Sequence, residues 1–327
     1  MSAFELLAAI AGVWLALVAW RWYKDVTWQR QVRVRELVQR AAGRLPQFET
    51  SWRWRILLGV WALAVWAAAA IEGSAGPVRF AWVVAGLPLL CWLALNGLAR
   101  RSLRRGQYTR ALRMASGLAW LAPGSARYLR RQGIILLYAG RLGEAEEVLR
   151  KALAQGTRKV EQAATLEFLG RVLTYQDRYE EATRALDGSA RLRPRHGATH
   201  SAMAEVLLWQ GADLEKALAM TNRARDYEGR TSKGSGPTGL AEAWAVHAWA
   251  LALLRRDTIS PAAQRARQDG DDTYRPQMAG VYCRLGMAFA AAGNPPAAAR
   301  HFKNAREFDP HGLFGTLAAE ALAELKA

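Results

Sequence analysis

The sequence predicts an all-α protein, a solenoid of paired helices that follows about three membrane-spanning helices. Three observations carry this reading. A unit of about 34 residues recurs five times and is clearest at residues 279–310, AGVYCRLGMAFAAAGNPPAAARHFKNAREFDP. Small residues recur within that unit at a set spacing. Three long apolar runs fill the first hundred residues, and no convincing strand pattern occurs.

The apolar runs cover residues 6–20, 56–71 and 80–99 and are 15, 16 and 20 residues long. A bilayer core takes about 20, so the first two need their flanks, and the spans are placed at about 3–22, 54–72 and 79–99. Trp20, Trp22 and Tyr23 end the first run and Trp52 and Trp54 open the second, as interfacial aromatic rings do. Arg21, Arg53 and Arg55 are placed to snorkel to headgroups. Buried core helices are the competing reading, but such helices carry a polar stripe, and these runs are apolar all round. The first run lacks a basic start and a small-residue cleavage site, so it reads as an uncleaved span rather than a signal.

Topology follows from charge. Residues 21–55 hold nine Lys or Arg against three acids, whereas the loop 72–79 holds only Arg79 and Glu72. The positive-inside rule puts the basic loop, about 23–53, in the cytoplasm. The amino terminus is then outside, and the third span returns the chain to the cytoplasm at Arg100, Arg101, Arg104 and Arg105. The expected location is a bacterial inner membrane with cytoplasmic repeats. Residues 26–46 read as a helix with Val34, Val38, Ala41 and Leu45 on one face and Arg30, Arg33, Arg40 and Arg44 beside it. It either lies in the cytoplasmic interface or packs on the first repeat.

The repeats are read from their small residues, because antiparallel helices approach closely where Gly or Ala lets the backbones meet. Gly133 and Ala145, Gly170 and Ala182, and Gly286 and Ala298 are each 12 apart with a turn between. Apolar residues flank each pair at helical spacing: Leu129, Leu136 and Leu149; Leu166, Leu173 and Leu186; Tyr282, Phe289 and Phe302. Gly140, Asp177 and Gly293 stand in the turns, and Pro123, Pro194 and Pro310 close units.

On these residues the last two thirds of the chain resembles the tetratricopeptide repeat (TPR) family. The resemblance implies a right-handed helical solenoid with units at about 92–125, 126–159, 163–196, 197–230, 241–274 and 279–312. The fourth unit (Ala204, Leu207, Gly211, Ala217) has one extra residue in its turn, and the fifth (Trp244, Ala248, Leu251) has a poorly matching second helix. Residues 313–327 read as a capping helix, needed because a last repeat otherwise exposes an apolar face. The domains are thus a membrane domain at 1–100, a solenoid at 101–312 whose first unit begins near 92, and the cap. Setting Ala111 in the second-helix position places its partner at Ala99, so the third span and the first repeat are expected to share one helix.

The net charge of +17 is unevenly placed, with 20 basic and 5 acidic residues in 1–143 against 25 and 23 in 144–327. A basic surface beside the membrane attracts anionic lipid. Nucleic acid is disfavoured, because no base-reading motif accompanies the charge.

Signals for chemistry are sparse. Cys91 and Cys283 are far apart, so neither a disulfide framework nor a thiolate metal site is indicated. His196 and His200 are four apart but lack a third ligand. His247, His301 and His311 read as surface or packing residues. The loop 229–239, GRTSKGSGPTG, has Ser235 where a phosphate-binding loop needs Lys. No cofactor, metal or small-molecule substrate is expected, and no nucleophile, base and oxyanion donor assemble into an enzyme site.

The family resemblance implies that the first helix of each unit lines a concave face. There Tyr138, Tyr175 and Trp209 hold equivalent places in three units, with Arg127, Arg130, Glu167, Arg171 and Glu205 on the same face. Such a row suits an extended peptide or a partner helix; the rings also suit packing between units. Ile134 stands where a clamp for acidic chaperone tails needs a polar residue, so that role is disfavoured. The expected function is a membrane-anchored scaffold or adaptor with a protein partner in its groove. The alternative is an accessory subunit of a membrane enzyme complex, for envelope glycan or lipid assembly or for secretion, with catalysis in another chain.

Overall fold

The computed structural model describes residues 92, 94–121, 125–155, 158–230, 237–256, 259–270, 272 and 274–325. The chain divides into two compact units, Met1–Leu93 and Ala94–Ala327. The first two expected spans, the basic loop and the start of the third span lie outside the described residues. Among the described residues no helix is long and apolar enough to cross a membrane.

The described part of the second unit is all helix and turn. Its helices are α1 (94–104), α2 (Tyr108–Leu121), α3 (Ala126–Tyr138), α4 (Leu142–Ala154), α5 (Lys159–Thr174), α6 (Tyr179–Leu192) and α7 (Gly197–Gln210). They continue as α8 (Leu214–Arg230), α9 (Pro237–Leu253), α10 (Ile259–Gln268), α11 (Arg275–Ala291), α12 (Pro295–Phe308) and α13 (Leu313–Glu324). Six helix pairs follow one another, and α13 ends the series. The loop at 229–239 falls mostly outside the described residues.

Each pair is joined by the same local device. Gly106, Gly140, Asp177, Gly211, Arg255 and Gly293 all have positive φ, from 54° to 74°. In each turn the amide of this residue bonds back three residues and the next amide bonds back five, as in Gly140 N to Leu137 O and Arg141 N to Leu136 O. Those are the two bonds of a Schellman stop, which satisfy the last carbonyls of the first helix. Gly tolerates this conformation, and Asp177 and Arg255 do so at a cost of about 1 kcal/mol. Arg255 is exposed, so Arg255→Gly is expected to stabilise the unit by up to about 1 kcal/mol, read as a higher urea midpoint.

Pairing within a unit depends on the small residues. A Cβ on Gly133 would stand 2.6 Å from Leu149 Cγ, one on Gly170 2.6 Å from Leu186 Cγ, and one on Gly286 would enter the Phe302 ring. Leu149, Leu186 and Phe302 are fully buried, and so are Ala145, Ala182 and Ala298. In the first unit the equivalent places are Ala99, Ala111 and Ala115, all buried. The helix 94–104 runs through Ala99 without a break, so residues 100–104 belong to the first repeat rather than to a linker. The fifth pair deviates in α10, which has 10 residues and buries only Ala262, Ala263 and Ala266. An alanine face gives little periodic signal, which is why its sequence matches poorly.

The first helices α3, α5, α7, α9 and α11 touch in succession and form an inner layer. The series then closes on itself. α13 packs on α11 and α12 and also reaches α3, while Tyr108 of α2 donates a hydrogen bond to Asp309 after α12. Arg275 caps the end of α12, donating to Phe308 O at 2.8 Å and Glu307 O at 2.7 Å.

Candidate interaction site on the inner face

The inner layer carries a continuous series of rings. Tyr138 lies 6.1 Å from Tyr274 and 6.3 Å from Phe314 between centroids. Tyr175 meets Phe314 edge-on at 5.7 Å and Trp209 at 6.4 Å, and Trp209 meets Trp249 at 5.3 Å. These tilted and edge-to-face arrangements place ring edges against π faces. Phe314, from α13, sits between Tyr138 of α3 and Tyr175 beside α5.

Charges cross the same layer. Arg284 of α11 donates to both carboxylate oxygens of Glu205, each at 2.9 Å, and to the Tyr175 hydroxyl at 2.9 Å. The Tyr175 hydroxyl in turn donates to Glu205 at 2.7 Å. Arg171 pairs with Glu242 of α9 and lies 3.3 Å from Glu167, while Glu242 also lies 3.1 Å from Arg284. All five charged side chains are buried. Burial opposes the Arg284 charge, but Glu205, Tyr175 and Glu242 outweigh it and raise the guanidinium pKa. Burial likewise disfavours the Glu242 carboxylate, yet Arg171 and Arg284 bring its pKa below the usual range. At Glu167 burial prevails over Arg171 and the pKa is raised. Its neighbour His196, 3.4 Å away, is pushed down to about 4 by burial and by Arg193 and Arg171. His196 is therefore neutral at pH 7, and the contact is not an ion pair.

The expected open groove is thus closed in the folded unit. Tyr138, Glu167, Arg171 and Glu205 are buried, Tyr175 and Trp209 are half-buried, and all six are occupied by one another or by Glu242, Arg284, Phe314, Tyr274 and Trp249. The physical reason is curvature: the units turn tightly enough for α11 and α13 to face α3, α5 and α7 across the inner layer. The residues that close it come from 71 to 109 positions away in sequence in the bonded pairs. Two had a local signal, since Glu242 and Arg284 are single charges inside long apolar helices. Arg127 alone among the expected groove residues is exposed, and Arg130 is half-buried with Nη1 donating to Glu161 O at 3.3 Å.

The histidines serve packing. His200 Nε2 bonds Pro194 O at 2.8 Å, His247 Nδ1 meets Thr221 Oγ1 at 2.8 Å, and His301 stacks on Phe289 at 5.1 Å. Among the described residues no group of three His, Cys, Asp or Glu is placed to hold a metal ion. Cys283 is free and buried, and burial pushes its thiol up to about 12.

Comparison with solved structures bears on the fold. The crystal structure of the APC/C hetero-tetramer Cut9-Hcn1 is 16% identical, with a TM-score of 0.51, over 74% of this chain and 46% of that one. The chain therefore spans less than half the length of that neighbour. A thermophilic TPR protein of Thermus thermophilus is 19% identical over 61% of this chain and 99% of its own, with a TM-score of 0.46. Pseudomonas aeruginosa pilF is 19% identical over 72% and 97%, with a TM-score of 0.43. No protein-family model matches the chain, and no curated protein matches it. The fold is a TPR-like helical solenoid. Its six helix pairs, common turn device and inner layer of first helices carry that statement, and the likeness to Cut9-Hcn1 agrees with it.

Proposed function

We propose that the chain is a membrane-anchored scaffold that holds a protein partner on the inner face of its repeats, with the amino terminus outside and the repeats in the cytoplasm. One observation supports the partner reading above others: the inner face already holds a helix. α13 lies on it with Phe314 set between Tyr138 and Tyr175, an apolar helix anchored by one aromatic ring, as in helix-in-groove recognition. A partner helix with a comparable anchor takes that place when α13 swings away, reaching Tyr138, Tyr175 and Trp209 with Arg127 and Arg130 at its end. The anchor rests on the three apolar runs, and the orientation on the basic loop between the first two.

The test uses the full chain in mild detergent. Phe314→Ala is expected to raise the capture of a single stoichiometric protein, and a peptide of residues 311–325 is expected to compete. Unchanged capture with co-purifying enzyme activity supports the accessory-subunit reading instead. For topology, a Cys at Ser74 is expected to react with an impermeant maleimide on intact cells and one at Ser232 is not. The reverse pattern inverts the orientation.

A further inference from the structure

The amino-terminal end of the solenoid gathers arginines without acids. Arg100 and Arg104 on α1 and Arg127 on α3 are exposed, and Arg130 and Arg131 on α3 are half-buried. Arg131 is held in place between the two helices, its Nη1 donating to Asn96 Oδ1 at 2.6 Å. Burial, followed by the charges of Arg100, Arg127 and Arg130, pushes the Arg131 guanidinium down to about 10. Arg104 and Arg131 both act on the Tyr274 hydroxyl, which brings Arg104 to the same place.

None of these five guanidinium groups has a carboxylate partner among the described residues. Other arginines on the surface do: Arg141 pairs with Glu144, Arg150 with Glu146, Arg178 with Glu181 and Arg256 with Glu215. The contrast reflects composition, since no acid occurs between Glu72 and Glu144. Clustered like charges repel, and planar guanidinium groups satisfy phosphate oxygens two at a time. The cluster is therefore built to be neutralised by an anion from outside the solenoid.

Two features select the anion's source. Arg100 follows directly on the apolar run 80–99. On the open side of α1, Leu98 is 39% exposed, one of two exposed large apolar side chains among the described residues, with Arg101 and Arg105 on the following turns. An apolar side chain beside arginines on an exposed helix face is the make-up of an interfacial surface. We infer that the arginine cluster of α1 and α3 is a binding site for the phosphate of an anionic phospholipid headgroup. This rests on the membrane reading above, and it adds a lipid-selective contact by the solenoid itself.

The full chain in a neutral maltoside detergent provides the test, with short-chain phosphatidylglycerol, short-chain phosphatidylcholine and inorganic phosphate as probes. Native mass spectrometry and thermal unfolding followed by tryptophan fluorescence give the readouts. Phosphatidylglycerol is expected to bind and stabilise at least roughly tenfold more strongly than phosphatidylcholine. The double substitution Arg100→Gln with Arg127→Gln is expected to remove that preference, while Arg150→Gln with Arg256→Gln leaves it intact. Equal binding of the two lipids, or an unaltered preference in the first double variant, overturns the inference. Inorganic phosphate that competes at the same concentration as phosphatidylglycerol also overturns it, because the site then takes free phosphate. Alkaline carbonate extraction of cell membranes tests the anchor separately. Release of the protein sinks the membrane reading, whereas retention without lipid preference sinks only this inference.

Discussion

Arg284→Met is expected to destabilise the unit Ala94–Ala327 by about 3–5 kcal/mol, the cost of leaving a buried charge without its partner. Arg284 is only 3% exposed and supplies three hydrogen bonds, two to Glu205 and one to Tyr175. Its loss strands the Glu205 carboxylate in the inner layer and leaves Glu242 with Arg171 alone. Adding Glu205→Leu to Arg284→Met is expected to recover most of the loss, because an apolar pair of similar volume often replaces a buried ion pair without penalty. Urea unfolding of the full chain in detergent, followed by far-ultraviolet circular dichroism, measures both. A loss below about 1 kcal/mol for Arg284→Met, the range of a surface pair, would show that the layer is solvated and not closed.

Phe302→Ala is expected to cost about 3–5 kcal/mol, from lost burial and the cavity left behind. The ring is 1% exposed and fills the space over Gly286 between α11 and α12. Gly286→Ala in the natural background is expected to cost about 1–3 kcal/mol, because the added methyl group drives into that ring. With Phe302→Ala already present, the same substitution meets no ring and is expected to cost little. The coupling in this double-mutant cycle is the check: additive effects would mean that Gly286 and Phe302 do not share one contact.

These two predictions come from different levels of the structure. The Gly286 and Phe302 contact is legible in sequence, because Gly133, Gly170 and Gly286 stand at the same distance before Leu149, Leu186 and Phe302. The turns are legible as well: Gly140, Asp177 and Gly293 mark helix stops, and all three take the left-handed conformation. Arg255 does the same work without a glycine's signature, and no local rule points to it. The Arg284 network is of another kind. Nothing near Glu205 or Tyr175 in sequence indicates a cation, since the one that serves them lies 79 residues from Glu205 and 109 from Tyr175.

The sequence by itself determined the helical class, the pairing of helices, the register of the repeats and the place of the final helix. Each of these depends on neighbours within a few turns, through helix stops, small-residue contacts and 3.6-residue periodicity. Only the tertiary structure decided whether the inner face is open. That outcome depends on the curvature accumulated over six units, a sum of small rotations that no single unit encodes. Once the curvature brings α11 and α13 over α3 and α5, Arg284 and Phe314 meet Tyr175 and Glu205, and a row of side chains that reads as a surface becomes a core.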